Sequence, residues 1–161
     1  MIDDSLARMI INSPLGSITV SEWDGAIVGL DWRTERPTAP TPLLRRAASQ
    51  LAEYFAGQRR EFDLPLAPQG SAFQQSVWRR MAKIPYGKVM TYGDLAQAIG
   101  SAPRAVGGAC GRNPIAIIIP CHRVVGGSGA LTGYSGAGGV HTKQILLELE
   151  GALTPGLRIS A

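Results

Sequence analysis

Cysteine and histidine are scarce in this chain: Cys110, Cys121, His122 and His141 are all it has. Two thiols cannot build a disulfide framework, and with only two imidazoles to help they make no cysteine-rich zinc site. A reducing, cytoplasmic compartment is expected, in which Cys121 persists as a free thiol. No apolar run approaches the ~20 residues a bilayer span needs. Asp3 and Asp4 stand where a secretory signal would carry positive charge, so export is not expected. Internal repeats and low-complexity segments are missing too. Acid is short in one half. Residues 69–161 hold three Asp/Glu against nine Lys/Arg, whereas residues 1–68 hold nine against seven. Solvated basic faces are common, but this asymmetry also suits a half that meets a polyanion.

What is present suffices for a core. The 161 residues are 45% hydrophobic, enough for one domain or two small ones. In the first half, residues 17–21 alternate polar and apolar, the period of a half-buried strand. Asp24-Gly25 is a hairpin turn, and residues 26–30 return as the partner strand. Pro37, Pro40 and Pro42 mark a connection. Leu43, Leu44, Ala47, Leu51, Tyr54 and Phe55 then make a helical apolar face that Gly57 stops. Residues 62–66 read as a short edge strand, where Pro65 is tolerated. Trp23 and Trp32 read as packing residues. Pro68-Gln69-Gly70 is the best linker, dividing 1–68 from 69–161.

The second half reads as helical. Ser71 and Gln74 have capping-box spacing, and Phe73, Val77, Met81 and Ile84 continue as one core stripe that Pro85 ends. Thr91 is an N-cap for a helix to Ile99, stopped by Gly100. Pro103 opens a third helix through Ala109. Two short helices joined by a tight glycine-containing turn predict a helix-turn-helix. Ala105, Gly107, Gly108 and Ala109 weaken that third helix, since each glycine costs up to ~1 kcal/mol relative to alanine. Such a face lets another surface approach the backbone closely, and close packing on a neighbouring helix would account for it equally. Residues 115–119 are an uninterrupted apolar run, read as a buried strand or extended core segment. Pro120 ends it, and the chain presents Cys121, His122 and Arg123. A cysteine reacts as thiolate, favoured by nearby basic or cationic groups. The last helix, 140–150, carries Ile145, Leu146 and Leu149 on one side. Glu148 and Glu150 lie about 200° apart on it, so only one can face a given site.

Ile-Pro-Cys-His-Arg-Val at 119–124 resembles the active-site signature of the O6-alkylguanine-DNA alkyltransferases, the methylated-DNA–protein-cysteine methyltransferases. The likeness runs in order through residues 70–151. It includes Phe73-Gln74-x-x-Val77-Trp78, Thr91-Tyr92-Gly93-x-Leu95-Ala96, Arg104-Ala105-Val106-Gly107, Asn113-Pro114, Tyr134-Ser135-Gly136 and Leu146-Leu147-x-x-Glu150-Gly151. The resemblance implies a small ribonuclease-H-like α/β domain at 1–68 and a mainly helical winged helix-turn-helix catalytic domain at 69–161. It implies direct-reversal DNA repair: irreversible, stoichiometric transfer of the alkyl group from O6-alkylguanine to Cys121. The base would be flipped out through the minor groove of double-stranded DNA. No cofactor or metal is implied, the chain would be a monomer with no membrane partner, and O4-methylthymine stays open as a second substrate.

The same resemblance assigns roles. His122, through a water, deprotonates Cys121, and Glu150 orients and charge-balances the imidazole. Tyr92 contacts the flipped guanine, and with Ser135 it neutralises the charge left on it. Arg104 fills the vacated stack, and Ala105, Gly107, Gly108 and Arg112 share the DNA-facing helix. Asn113 is the hinge to the active-site loop, and Tyr134-Ser135 is the lid. The chain departs from the family pattern in a shorter 100–104 segment and a longer 136–143 loop. Three other readings compete. An alkyltransferase-like binding protein would lack Cys121, a cysteine hydrolase would need an oxyanion hole, and a winged-helix regulator leaves Pro-Cys-His-Arg unexplained.

Overall fold

The computed structural model describes residues 6–127 and 139–152 of the chain, which divides into two compact units, Met1–Gln69 and Gly70–Ala161. Among the described residues, no helix is long and apolar enough to cross a membrane.

The first unit is an antiparallel sheet with one helix on it. The strands are β1 (Ala7–Ser13), β2 (Gly16–Trp23) and β3 (Ala26–Asp31), in the order β1-β2-β3. The Asp24-Gly25 turn is present, with φ of 51° and 79°, the doubly positive geometry that two-residue hairpins favour. Helix α1 (Pro42–Phe55) covers the sheet. Its core is Ile18, Val20, Ile27 and Leu30 from the strands against Leu44, Ala47, Leu51 and Tyr54. Pro42 lies inside the helix and not in the connection, because Thr41 is the N-cap, accepting from Leu44 N at 3.0 Å, and proline suits the first turn. β1 was not foreseen. Its sequence, ARMIINS, lacks clean alternation, and pairing with β2 supplies what the pattern does not. The expected strand at 62–66 is reduced to a single parallel bridge, Ile27 to Leu66. Pro65 carries no N–H, though its carbonyl accepts from Ile27 N at 2.8 Å. Trp23 is 42% exposed and packs less than expected. Trp32 is half-buried, its Nε1 donating to Leu15 O at 3.1 Å.

The second unit is helical. Helix α2 (Ala72–Met81) starts with the capping box: Ser71 Oγ accepts from Gln74 N at 3.1 Å, and Gln74 Oε1 from Ser71 N at 2.9 Å. It ends at Met81, so Ile84 belongs to the following turns, and Phe73 at its start is 38% exposed, not core. Trp78 is the anchor. Its ring lies so close to Gly70 that a Cβ there would sit 2.4 Å from the indole, and its Nε1 donates to Ala109 O at 2.9 Å. Strand β4 (Met90–Thr91) leads into α3 (Tyr92–Ile99), and Gly100 stops it in the left-handed region at φ 71°. Helix α4 (Pro103–Gly111) follows, reaching two residues beyond Ala109. Helices α2, α3 and α4 pack on one another.

Residues 115–119 are buried but not extended. Ile118 N bonds Ala116 O at 2.8 Å, Ile119 N bonds Ile115 O at 2.9 Å, and Ile117 has φ 73°. The run is a knot of turns. Apolar content signalled its burial, and the loop it must close decided its shape. A 3₁₀ turn (Cys121–Arg123) then leads to β5 (Val124–Val125), which pairs in parallel with β4. Helix α5 (Val140–Leu149) ends at Glu150, before Gly151 at φ 76°. It turns Thr142, Lys143, Leu146 and Leu147 inward, where the sequence reading chose Ile145, Leu146 and Leu149.

Candidate active site

Local bonds hold Cys121. Asn113, past the end of α4, spans the loop: its Nδ2 donates to Ile119 O at 2.8 Å and its Oδ1 accepts from Ile115 N at 3.0 Å. Ile119 O also accepts from Cys121 N at 2.8 Å. One asparagine therefore ties the helix end to the residue pair that sets the nucleophile. The Cys121 thiol is half-buried. Burial pushes it above its ordinary value, opposed by a hydrogen bond from Asn113 and by the charge of Lys143. Cys110 is different: it is buried against Met81, Sγ to Sδ 3.4 Å, and burial pushes it up to about 12, so it stays a protonated core thiol.

His122 is fully buried. Its Nε2 lies 2.8 Å from Glu150 Oε2, while Nδ1 has no protein partner among the described residues. With a carboxylate at Nε2, the imidazole proton sits there and Nδ1 carries the lone pair. Burial pulls the imidazole below 6.5, against the upward pull of Glu150, so the ring is held neutral. Glu150 is 5% exposed, whereas Glu148 bonds Gln144 Nε2 at 3.0 Å on the other side.

Glu150 does not serve His122 alone. Arg123 donates to it twice, Nε to Oε1 at 2.8 Å and a terminal nitrogen to Oε2 at 2.9 Å. Its other terminal nitrogen donates to Ile84 O at 2.7 Å, and its guanidinium lies 5.8 Å from the centre of the Tyr86 ring. Glu150 therefore divides its charge between the His122 imidazole, which it was expected to orient and balance, and the Arg123 guanidinium, which takes both carboxylate oxygens. Arg123 is only 7% exposed. Sequence reasoning missed it, since burial of a charge depends on partners distant in the chain.

Lys143 was missed too. It is fully buried, with Nζ 5.6 Å from the centre of the Tyr92 ring. Burial lowers it from 10.5 to about 8, and the Cys121 and Cys110 thiols pull it back up. The signal was available: Lys143 shares a face with Leu146, Leu147 and Glu150 at helical spacing. Below pH 8 both folded and unfolded chains hold this proton and the fold bears the desolvation cost. Between about 8 and 10.5 the unfolded chain binds more protons, so this contribution rises with pH. Lys143→Met should therefore be more stable than the parent at pH 7, by up to roughly 3 kcal/mol less the lost ring contact. Urea melts should show that difference shrinking above pH 8; a constant difference would contradict it.

The remaining residues line the other side of the ladder. Pairing of Thr91 with Val125 sets Tyr92, the first residue of α3, beside the strand that leaves the catalytic turn. A groove of about 660 Å³ is lined by Thr91, Tyr92, Gly93, Pro103, Arg104, Gly107 and Gly127. Arg104, Ala105, Gly108 and Arg112 are exposed along α4. Gly107 faces Tyr92, where a Cβ would sit 4.0 Å from the ring, and Gly108 and Gly111 have nothing within 4 Å of theirs. The protein's own packing does not require glycine there. Tyr134 and Ser135 lie outside the described residues. No group of three His, Cys, Asp or Glu that could hold a metal ion occurs among the described residues.

A turn that carries a half-buried thiol next in sequence to a neutral, carboxylate-backed imidazole, with a groove lined by two short helices, is the arrangement that likeness to known proteins places in a class. Residues 72–152 match the 6-O-methylguanine DNA methyltransferase DNA-binding domain, and residues 6–68 match the ribonuclease-like domain of the same proteins. A methylated-DNA–protein-cysteine methyltransferase of Methanosarcina acetivorans is 44% identical over 153 residues, covering 89% of this chain and 97% of its own. That of Mycobacterium tuberculosis is 46% identical over 154 residues, 90% and 92% covered. The crystal structure of the Mycobacterium tuberculosis O6-methylguanine methyltransferase superposes with a TM-score of 0.82 at 42% identity, covering 94% of this chain and 96% of that one. A structure of the mycobacterial protein in complex with DNA superposes at 0.79 with 43% identity, covering 93% and 96%. The chain belongs to the methylated-DNA–protein-cysteine methyltransferase family, with its ribonuclease-like and DNA-binding domains.

Proposed function

We propose that this protein reverses alkylation damage in double-stranded DNA by moving the alkyl group of O6-alkylguanine onto Cys121. The observation that carries the reading is His122, with Nε2 held by Glu150 and Nδ1 open in the turn that bears the thiol. Adjacent side chains seldom point the same way, so a water relays the proton from Cys121 to Nδ1. The thiolate then attacks the alkyl carbon. A sulfur–carbon bond forms, the carbon–O6 bond breaks, and the electron pair stays with guanine, which takes a proton as it leaves. Tyr92 and Ser135 are the donors assigned to that step. The Lys143 ammonium, within electrostatic reach of Cys121, favours the thiolate. A thioether has no ready leaving group, so each molecule acts once. The reaction as written requires no cofactor.

The target atom lies inside a stacked duplex, so the nucleotide is extruded before transfer. Helices α3 and α4 serve as a winged helix-turn-helix, with α4 in the minor groove and Arg104 filling the vacated stack. The ribonuclease-H-like unit at 1–68 supports the catalytic domain at 69–161, and the protein works as a monomer. Asn113 is the hinge between α4 and the catalytic loop, and Arg112 and Ala105 border the DNA. Glycines that the protein's own packing does not demand, at 107 and 108, support close approach of a backbone or groove wall.

Two experiments test this assignment. Gly108→Ala should raise stability by up to ~1 kcal/mol, since it removes a helix glycine into open space, yet weaken DNA binding severalfold. Unchanged DNA affinity would take α4 out of the interface. Arg104→Ala should slow repair of a paired lesion by about tenfold and of an unpaired lesion much less, because unstacking is then already done. Equal losses would remove Arg104 from the stack. The same single-turnover assay, run with O4-methylthymine, decides whether that lesion is a second substrate.

A further inference from the structure

We infer that Arg123 is a positioning residue for the base: by occupying both oxygens of Glu150 it stops that carboxylate from drawing a second proton onto His122, and so keeps Nδ1 open. The inference rests on reading His122 as the base for Cys121.

The guanidinium is clamped on several sides. Glu150 takes two of its donors, Ile84 O takes a third at 2.7 Å, and the Tyr86 ring lies beneath it. Tyr86 is itself tied to the end of α5, its hydroxyl donating to Leu149 O at 3.3 Å. Glu150 Oε2 therefore accepts from Arg123 and His122 together, at 2.9 and 2.8 Å. Geometry fixes the direction of the imidazole, and charge fixes its protonation.

The groups that face His122 among the described residues are Glu150 at the end of α5, Lys143 on α5, and Cys121 and Arg123 in its own turn. One carboxylate thus stands among two basic side chains before the imidazole is counted. A protonated ring would place a third cation among buried side chains. Glu150 pulls the imidazole up while Arg123 and Lys143 push it down, in the same direction as burial. If Arg123 is removed, Glu150 has His122 as its charge partner, and a buried carboxylate favours an imidazolium. That ring cannot accept the thiol proton.

The chain has two histidines, and His141 is exposed on α5, so His141→Asn assigns the His122 ring protons in a magnetic-resonance titration. In Arg123→Gln the His122 midpoint should rise by one pH unit or more, a tenfold or greater loss of neutral imidazole below it. The acid limb of the single-turnover transfer rate should move with it, while the fraction of molecules that react stays near that of the parent. In a Glu150→Gln background the same change should move the midpoint little. A folded Arg123→Gln protein whose midpoint and acid limb stay in place would overturn the inference, and a lower reactive fraction alone would mark Arg123 as structural. Should that variant fail to fold, Arg123→Lys keeps a cation but loses the two-point grip. Its midpoint should still rise by about half a unit or more, and an unmoved midpoint overturns the inference equally. The titration needs no substrate. A shifted midpoint in a protein whose parent never alkylates Cys121 would sink the transfer reading and leave the electrostatic role standing.

Discussion

Cys121→Ala is expected to abolish alkyl transfer and leave lesion-DNA binding within a few-fold of the parent. The thiol supplies the only bond to the alkyl carbon, so no neighbour can replace it. Cys110 cannot, because burial holds it protonated with a value of about 12, packed on Met81. Binding should survive, since phosphate contacts dominate affinity and a half-buried thiol supplies none of them. The fold should survive also. The bonds that shape the turn run from Asn113 to Ile119 O and from Ile115 N to Asn113, with Cys121 N on Ile119 O, and they remain when the thiol and its contact with Asn113 are lost. Gel-shift titration and a lesion-removal assay on one preparation check both halves. Loss of both activities would make the cysteine structural.

The second large effect is expected at Glu150. Substitution by glutamine keeps the shape and removes the charge that Arg123 and His122 share. Arg123, 7% exposed, would keep Ile84 O and the Tyr86 ring but lose its counter-charge. Breaking a buried ion pair from one side costs about 3–5 kcal/mol, so denaturant melts should register it. Transfer should slow by about 100-fold or more, the scale of a lost general base, because an amide can also donate to the ring and favour the wrong tautomer. Glu148→Gln is the control: it breaks a bond to Gln144 at a half-exposed site and should change neither quantity appreciably. The reverse order would place the catalytic carboxylate at 148.

How far these features could be read from sequence follows from how local their causes are. Ser71 with Gln74, Thr91 before α3, Gly100 after it and Asp24-Gly25 were legible because each satisfies its bonds within a few residues. The Cys-His pair was legible by resemblance; helix geometry allowed only one of Glu148 and Glu150 to face a given site, and the resemblance selected Glu150. The turns at 115–119 were not, because five apolar residues fit a strand equally well, and Asn113 decides otherwise from outside the run. Arg123 and Lys143 were not, because charged side chains are ordinarily read as solvated. Their burial follows from Glu150, Ile84 and Tyr86 for one, and from Tyr92 and the inward face of α5 for the other. The α5 stripe was shifted because its inward face carries that lysine, which an apolar count skips.

The most direct test of the central claim is intact-mass and peptide mass spectrometry after incubation with a duplex that contains one O6-methylguanine. The account predicts one added methyl per molecule at most, located on the Cys121 peptide and equal in amount to the lesion removed. An unmodified Cys121 alongside lost lesion, or a methyl group on any other residue, would contradict it.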